Sequence, residues 1–498
     1  DEPGKVVAVI GDGALSGGLA YEGINNAGAC KRNFIVVLND NKMSISRNVG
    51  SMARYLSGIR TRGVYLKTKS AVDKILSRVP VLGNLTRKII LKSTSTLKNL
   101  VYNGTVFENL GFMYYGPVDG HNLRELIKVL QVAKQKERPV LVHVNTVKGK
   151  GYPFAEKNPK WFHCLSGFNI KTGAKGVPAG DFSAVFGKEL FEIAKDDDRI
   201  CAITAAMKLG TGLKYFAKRF KDRFFDVGIA EGHAVTFASG LAAGGMIPVF
   251  AVYSTFLQRG YDQIIHDAAL QKLKIVLAID RAGVVGVDGE THQGLFDVSF
   301  LNAIPNVTVF APSFFEEVGP MLRKAMYEVE GVAAVRYPRG AQMYKPEDFV
   351  CSCEPFDVYG DLMGCETGIV TYGRMFSQAC LAKENLRLKR IKTCVIKLNR
   401  IKPIDSAAVL AAAKFKNVFF FEEGMLSGGV GERFGYELTQ VGFGGNFYLT
   451  AVDGEFVVQS TVEVALHKLN LDADGMEKIV AQRIDAFGGQ EKAGCSAV

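Results

Sequence analysis

Short apolar runs recur along the chain, each stopped by glycine or an oxygen-bearing side chain and followed by a longer stretch of helical composition. The first is Val6-Val7-Ala8-Val9-Ile10, ended by Gly11-Asp12-Gly13; the second, residues 34–38, leads into Asn39-Asp40-Asn41-Lys42-Met43. A run with no polar alternation fits a strand buried on both faces, as in parallel sheets covered by helices. Residues 15–27 read as the helix after the first run, and residues 140–144 as the last strand of this region. Residues 1–147 are therefore expected to form a doubly wound α/β domain.

The alternation pauses at residues 148–181, rich in Gly, Pro and Lys, which read as a linker. Residues 182–345 predict a second α/β domain, with strands at 200–204, 225–229, 249–253, 275–280, 308–311 and 333–336. Residues 356–498 predict a third, with strands at 368–372, 393–397, 418–422 and 446–450. The fold class is α/β: three consecutive domains with mostly parallel sheets. Residues 52–102 form a basic insertion that breaks the rhythm of the first domain; amphipathic helices and mobile stretches are expected there.

Composition changes this picture little. A chain of 498 residues, 48% hydrophobic, has room for about three cores. Its 61 Lys and Arg outweigh 50 Asp and Glu, with a local excess between Arg54 and Lys98. A solvated surface or a site for phosphorylated small molecules accounts for this charge, and no nucleic acid is expected as a partner. Nine cysteines without a C-x-x-C pair fit a reducing, cytoplasmic setting and argue against zinc or a disulfide framework; Cys351 and Cys353 read as unpaired thiols. The uncharged stretch 234–258 is cut by Gly240, Gly244, Gly245 and Pro248, so a buried helix, a turn and a strand are expected rather than a membrane span. The chain starts at Asp1 without Met or a visible signal peptide, and is expected to be part of a longer protein.

Candidate chemistry gathers at the ends of the predicted strands. Asp12 and Asn41 would lie at the carboxyl ends of neighbouring strands, where open α/β sheets bind ligands. A glycine-rich turn before a helix favours phosphate, yet Asp12 would repel one; Mg²⁺ resolves the conflict by accepting a carboxylate, an amide oxygen and a carbonyl together with phosphate oxygens. A dinucleotide fingerprint would need Gly where Ser16 stands. Gly-Asp-Gly alone reads equally as a turn whose Asp caps a helix. Glu231 follows an apolar strand, which places it at a strand end beside an apolar helix, a costly place for a carboxylate unless it holds a proton or meets a partner; a helix-capping role is the other reading. Residues 253–259, Tyr-Ser-Thr-Phe-Leu-Gln-Arg, bring an aromatic face, hydroxyls and a cation to another strand end.

Gly11-Asp12-Gly13 with Asn41 resembles the metal–diphosphate motif of thiamine-diphosphate enzymes. Glu231 with His233, the segment 253–259, Asp280-Arg281-Ala282-Gly283, Asp288-Gly289-x-Thr291-His292-Gln293-Gly294 and Arg336-Tyr337-Pro338-Arg339-Gly340 resemble, in the same order, 1-deoxy-D-xylulose-5-phosphate synthase. The resemblance covers nearly the whole chain and implies a transketolase-like fold and a transferase acting in isoprenoid and thiamine precursor synthesis. It implies thiamine diphosphate and Mg²⁺ as cofactors, pyruvate and D-glyceraldehyde 3-phosphate as substrates, and a homodimer. Asp12, Asn41 and the Met43 carbonyl would hold the metal, with Gly11, Gly13 and Ala14 beside the diphosphate. Glu231 would hydrogen-bond the aminopyrimidine, Phe256 would stack on it, and His163 would lie near the cofactor. Arg281 and Arg339 would take the acceptor phosphate, Tyr253 and Arg259 would line the substrate pocket, and Asp288 and His292 would handle the acceptor and its protons. His121 also matches a family segment, but reads as a turn residue.

Two departures stand out. The family's chain begins well before Asp1 with a segment carrying histidines, so little or no turnover is expected of this piece alone. Gly232 replaces a side chain that is commonly polar in the family. Transketolase-type ketol transfer and a non-catalytic remnant or interaction subunit are the competing functions.

Overall fold

The computed structural model describes residues 4–43, 49–61, 105–163, 167–174 and 180–494. The chain divides into two compact units, residues 1–176 with 227–230, and residues 177–226 with 231–498. Of the basic insertion 52–102, residues 62–102 lie outside the described residues; its beginning lies in a helix, Gly50–Thr61.

In the first unit the strands β1 (Val7–Gly11), β2 (Ile35–Asp40), β3 (Met113–Asp119) and β4 (Val140–Asn145) form a parallel sheet in the order β1-β2-β4-β3. Leu38, Leu141, Phe107 and Tyr114 pack on one face, and Ile35, Val140 and Val142 on the other. Burial on both faces explains why β2 and β4 read as unbroken apolar runs. β1 differs: it is an edge strand whose Val7 and Val9 are exposed. β3 is absent from the sequence reading because Gly116-Pro117 interrupts it, and proline cannot donate to a ladder. The strand absorbs the proline through a register shift between Tyr115 and Val118. The helix expected at 15–27 is split: a 3₁₀ turn, Ala14–Ser16, is separated by an extended Gly17 from the helix Gly18–Gly28.

The second unit carries β5 (Ile200–Thr204), β6 (Phe224–Asp226), β7 (Ile247–Tyr253), β8 (Ile275–Asp280), β9 (Val307–Phe310), β10 (Val332–Tyr337), β11 (Phe356–Tyr359), β12 (Thr367–Tyr372), β13 (Thr393–Leu398), β14 (Arg400–Lys402), β15 (Asn417–Met425) and β16 (Asn446–Val452). One sheet has the order β14-β9-β10-β8-β7-β5-β6 and the other β11-β13-β12-β15-β16. All pairings are parallel except β14 with β9 and β11 with β13. The strand expected at 225–229 stops at Asp226, because Gly228 takes φ +76° and turns the backbone out of the sheet. Three-residue β14 is too short to announce itself; Lys402 anchors it by donating to the carbonyls of Leu301, Asn302 and Ile304 where the helix Asp297–Ala303 ends. Burial lowers the Lys402 pKa to about 8.

The stretch 234–258 runs through the helix Glu231–Ala243, then β7, then a helical turn Ser254–Leu257. Among the described residues no helix is long and apolar enough to cross a membrane. The described cysteines, Cys351 and Cys353 among them, are free thiols. Lys397 of β13, fully buried, ties the five-stranded sheet to the helix Phe315–Tyr327, donating to Asp357 Oδ2 at 3.0 Å, to Glu317 and to Asn399. A buried ammonium is tolerable only when surrounded by acceptors in this way.

Candidate functional site

In the first unit, β1 and β2 pair in parallel with Gly11 opposite Asn39, so Asp12 and Asn41 leave the sheet side by side at its carboxyl edge. Asp12 is buried, its amide donates to the Asn39 carbonyl at 3.1 Å, and its Oδ2 accepts the Lys42 amide at 2.8 Å. Asn41 Oδ1 accepts from Met43 N at 3.0 Å. Asp12, Asn41 and Met43 are thus drawn into one turn. A Cβ at Gly11 would meet nothing within 4 Å, and Ser16 closes the turn by donating to the Gly13 carbonyl at 2.7 Å, just past Ala14. The donor set, a carboxylate, an amide oxygen and a main-chain carbonyl, is hard oxygen and suits Mg²⁺. Among the described residues no group of three His, Cys, Asp or Glu could hold a metal unaided. Phosphate oxygens would complete the coordination.

His163 belongs to the same unit, its Nδ1 2.5 Å from Lys148 Nζ. Partial desolvation, and then the Lys148 charge, lower its pKa, and with Nδ1 accepting from Lys148 the neutral ring carries its proton on Nε2 as a donor. His121 serves the local fold, since its Nε2 accepts the Val147 amide at 2.9 Å while its own amide donates to Asp119.

In the second unit, Glu231 is the first residue of its helix, not the end of a strand, since β6 has already stopped. It is 2% exposed, and burial raises its pKa against the opposing pull of Arg259. Arg259 Nη1 lies 2.7 Å from Glu231 Oε2, yet that oxygen has no directed hydrogen bond. A buried carboxylate oxygen in this state is suited to share a proton with a ligand. Gly232 is close to Gln263, whose Oε1 is buried and without a partner; a Cβ at position 232 would lie 3.0 Å from it. The hydrogen bond that a polar residue at 232 would offer is therefore vacant.

Tyr253, Phe256, His292 and Arg281 converge. The rings of Tyr253 and Phe256 stack at 5.8 Å, His292 meets Phe256 edge-on at 5.4 Å, and the Arg281 guanidinium lies 3.7 Å above the Tyr253 ring. Arg281 takes φ +62°, a strained conformation held by its contacts to Asp280 Oδ1 at 2.8 Å and the Gly210 carbonyl at 3.1 Å. Asp280 is fully buried, which pushes its pKa up to about 6 against the pull of the Arg281 charge. Arg339 pairs with Asp288 at 2.8 Å; both are partly exposed.

The sequence reading missed the residues that hold these loops. Glu423 of β15 accepts from Val284 N at 2.6 Å and pairs with buried Arg374, which also donates to the Val284 carbonyl. Gln293 accepts from Val285 N and donates to the Val457 carbonyl; Gln459 donates to the Val287 carbonyl at 2.8 Å. The loop carrying Arg281, Asp288 and His292 is thus fastened to the five-stranded sheet and the segment after it. Of these residues, Gln293 alone stands in a motif that carries the resemblance.

Residues 1–146 match the family described as 1-deoxy-D-xylulose-5-phosphate synthase, residues 179–344 the transketolase pyrimidine binding domain, and residues 361–473 the transketolase C-terminal domain. The 1-deoxy-D-xylulose-5-phosphate synthase of Caldanaerobacter subterraneus subsp. tengcongensis is 45% identical over 490 residues, covering 97% of this chain and 78% of that protein. That of Clostridium acetobutylicum is 43% identical, with 97% and 77% covered, and that of Desulforudis audaxviator 48% identical, with 86% and 68% covered. Among solved structures, a split-gene transketolase described as an inactive β4 tetramer aligns with a TM-score of 0.54 at 26% identity, over 61% of this chain and 98% of that one. Transketolase from Campylobacter jejuni aligns with a TM-score of 0.52 at 16% identity, over 96% and 77%, a likeness of fold alone.

Proposed function

As the chain belongs to the 1-deoxy-D-xylulose-5-phosphate synthase family, a family of transferases, we propose that it condenses pyruvate with D-glyceraldehyde 3-phosphate to give 1-deoxy-D-xylulose 5-phosphate and carbon dioxide. This is the entry step of non-mevalonate isoprenoid synthesis and also feeds thiamine synthesis. Thiamine diphosphate, when bound, supplies the carbanion chemistry of decarboxylation and carbon–carbon bond formation. The observation that carries the reading is Glu231: a carboxylate buried at a helix start, with raised pKa and an oxygen lacking a directed hydrogen bond.

Asp12, Asn41 and the Met43 carbonyl would hold Mg²⁺ and, with Gly11, Gly13 and Ala14, seat the diphosphate. Glu231 would hold or yield a proton at Oε2 against the aminopyrimidine, with Arg259 keeping the carboxyl from becoming too weak an acid. Phe256 would cover the pyrimidine and exclude water, and His163, with Nδ1 accepting from Lys148, would offer its Nε2–H to the cofactor. Arg281 and Arg339 would bind the acceptor phosphate by charge-assisted hydrogen bonds. Arg339 is the more adaptable of the two, since its partner Asp288 is partly exposed. Binding of phosphate to Arg339 would release Asp288 to orient the acceptor, and His292 would exchange a proton with it. Tyr253 would shape the pocket for the small donor. A cytoplasmic homodimer is the proposed working form.

The test is turnover with ¹⁴C-labelled pyruvate. Labelled carbon dioxide released together with 1-deoxy-D-xylulose 5-phosphate, only when D-glyceraldehyde 3-phosphate and thiamine diphosphate are present, supports the reading. Ketol transfer between sugar phosphates without carbon dioxide release would favour transketolase. Loss of every cofactor-dependent signal, binding included, would favour a non-catalytic role.

A further inference from the structure

A histidine lies in the middle of the apolar strand β4. His143 is fully buried, and its neighbours across the sheet give it two partners: Nε2 is 2.9 Å from Asp40 Oδ2 on β2, and Nδ1 is 2.7 Å from the Tyr114 hydroxyl on β3. Asp40 and Tyr114 are themselves 1% and 3% exposed, so the three form a polar diagonal through the sheet's interior. With Asp40 as carboxylate and the ring neutral, Nε2–H donates to Asp40 and Nδ1 accepts the Tyr114 hydroxyl proton. Buried polar groups of this kind are costly unless each is paired, and here the pairing is complete along the row.

The row ends at the turn described above. Asp40 Oδ1 accepts the Lys42 amide at 3.2 Å, and the same amide donates to Asp12 Oδ2 at 2.8 Å. Lys42 holds φ +66°, a conformation that a side-chain-bearing residue keeps only when its surroundings demand it. Thr146 fixes the strand ends behind the turn, donating from Oγ1 to Asn39 Oδ1 at 2.7 Å and from its amide to the Asp40 carbonyl at 3.0 Å. One main-chain N–H is therefore shared between a carboxylate anchored through His143 to Tyr114 and the carboxylate of Asp12.

We propose that Tyr114, His143 and Asp40 form a positioning relay that, through the Lys42 amide, sets the angle at which Asp12 and the Asn41–Met43 turn present their oxygens to a divalent cation bound with a diphosphate. The inference rests on the cofactor reading given above. The three residues touch neither metal nor diphosphate; they hold the residues that do. Groups hydrogen-bonded behind metal ligands typically change metal affinity by about 10–100-fold when removed.

The test is Mn²⁺ binding to this chain in the presence of thiamine diphosphate, followed by electron paramagnetic resonance, with unfolding midpoints measured on the same samples. Asp40→Ala and Tyr114→Phe are expected to weaken Mn²⁺ binding by about tenfold or more. Asp40→Asn, whose Oδ1 can still accept the Lys42 amide, is expected to restore most of the affinity that Asp40→Ala loses. Ile35→Ala, which weakens the core on the opposite face of the same sheet, should lower the midpoint and leave Mn²⁺ affinity nearly unchanged. Equal affinity in the parent, Asp40→Ala and Tyr114→Phe, or affinity that simply follows the midpoint in all four variants, overturns the relay while the cofactor reading stands. A parent chain that binds no Mn²⁺ with thiamine diphosphate overturns both.

Discussion

Glu423 Oε1 accepts the Val284 amide at 2.6 Å, which ties the five-stranded sheet to the loop that carries Arg281. The space it fills admits no other side chain, because a Cβ on Gly283 would lie 2.4 Å from the Glu423 carboxylate. Gly283 itself takes φ +82°. The C-terminal part of the chain therefore fixes the backbone of the loop that carries Arg281.

Glu423→Ala leaves Arg374 buried without its partner. The expected loss is about 3–5 kcal/mol in urea unfolding, as when one member of a buried ion pair is removed. The Val284 and Val285 amides should exchange with deuterium faster than those of β8. An unchanged urea midpoint would show that the clamp contributes nothing.

Asp280 gives a pH prediction. Its carboxyl titrates near 3.8 when unfolded and about 6 when folded, because it is buried. The folded state thus binds more protons between these values, and stability falls as pH rises through the window. Ionisation of Asp280 costs about 3 kcal/mol above the folded pKa. Asp280→Asn removes this dependence, so its stability relative to the parent should improve by about that amount from pH 4 to pH 7. Parallel stability curves for the two proteins would contradict the assignment.

Arg339→Ala should raise the KM for D-glyceraldehyde 3-phosphate by roughly 10–100-fold, the worth of one charged hydrogen-bonding partner. The KM for pyruvate should hardly move. Arg339→Lys should recover only part of the loss, since a point charge does not reproduce the guanidinium fork. An equal rise for both substrates would place Arg339 elsewhere than at the phosphate.

Glu231→Gln keeps the shape of the side chain and removes its proton exchange. Turnover should fall by about 10²–10⁴-fold, the usual worth of a positioned acid–base group. The unfolding midpoint should not fall, because burial already disfavours the ionised form. Wild-type turnover in the variant would remove Glu231 from the chemistry.

Much of the architecture was legible because strands buried on both faces write themselves as apolar runs: β2, β4, β7 and β8 are of this kind. What could not be read depended on neighbours distant in sequence. β3 carries a proline that a register shift absorbs, and β14 owes its three residues to contacts made by Lys402. At the candidate site, motif residues stood out by type and spacing, and the structure brings together Asp12 with the Asn41–Met43 turn, Glu231 with Arg259, and Tyr253 with Phe256, His292 and Arg281. Of their supports, Glu423 and His143 did not stand out: each acts through hydrogen bonds to residues far along the chain.

The central claim is that this chain holds a metal-bridged thiamine diphosphate through Asp12. Calorimetric titration with thiamine diphosphate, with and without Mg²⁺, tests it most directly. Saturable binding that requires Mg²⁺ and is lost in Asp12→Asn is the predicted result; binding that is absent, or indifferent to both the metal and the substitution, would contradict it.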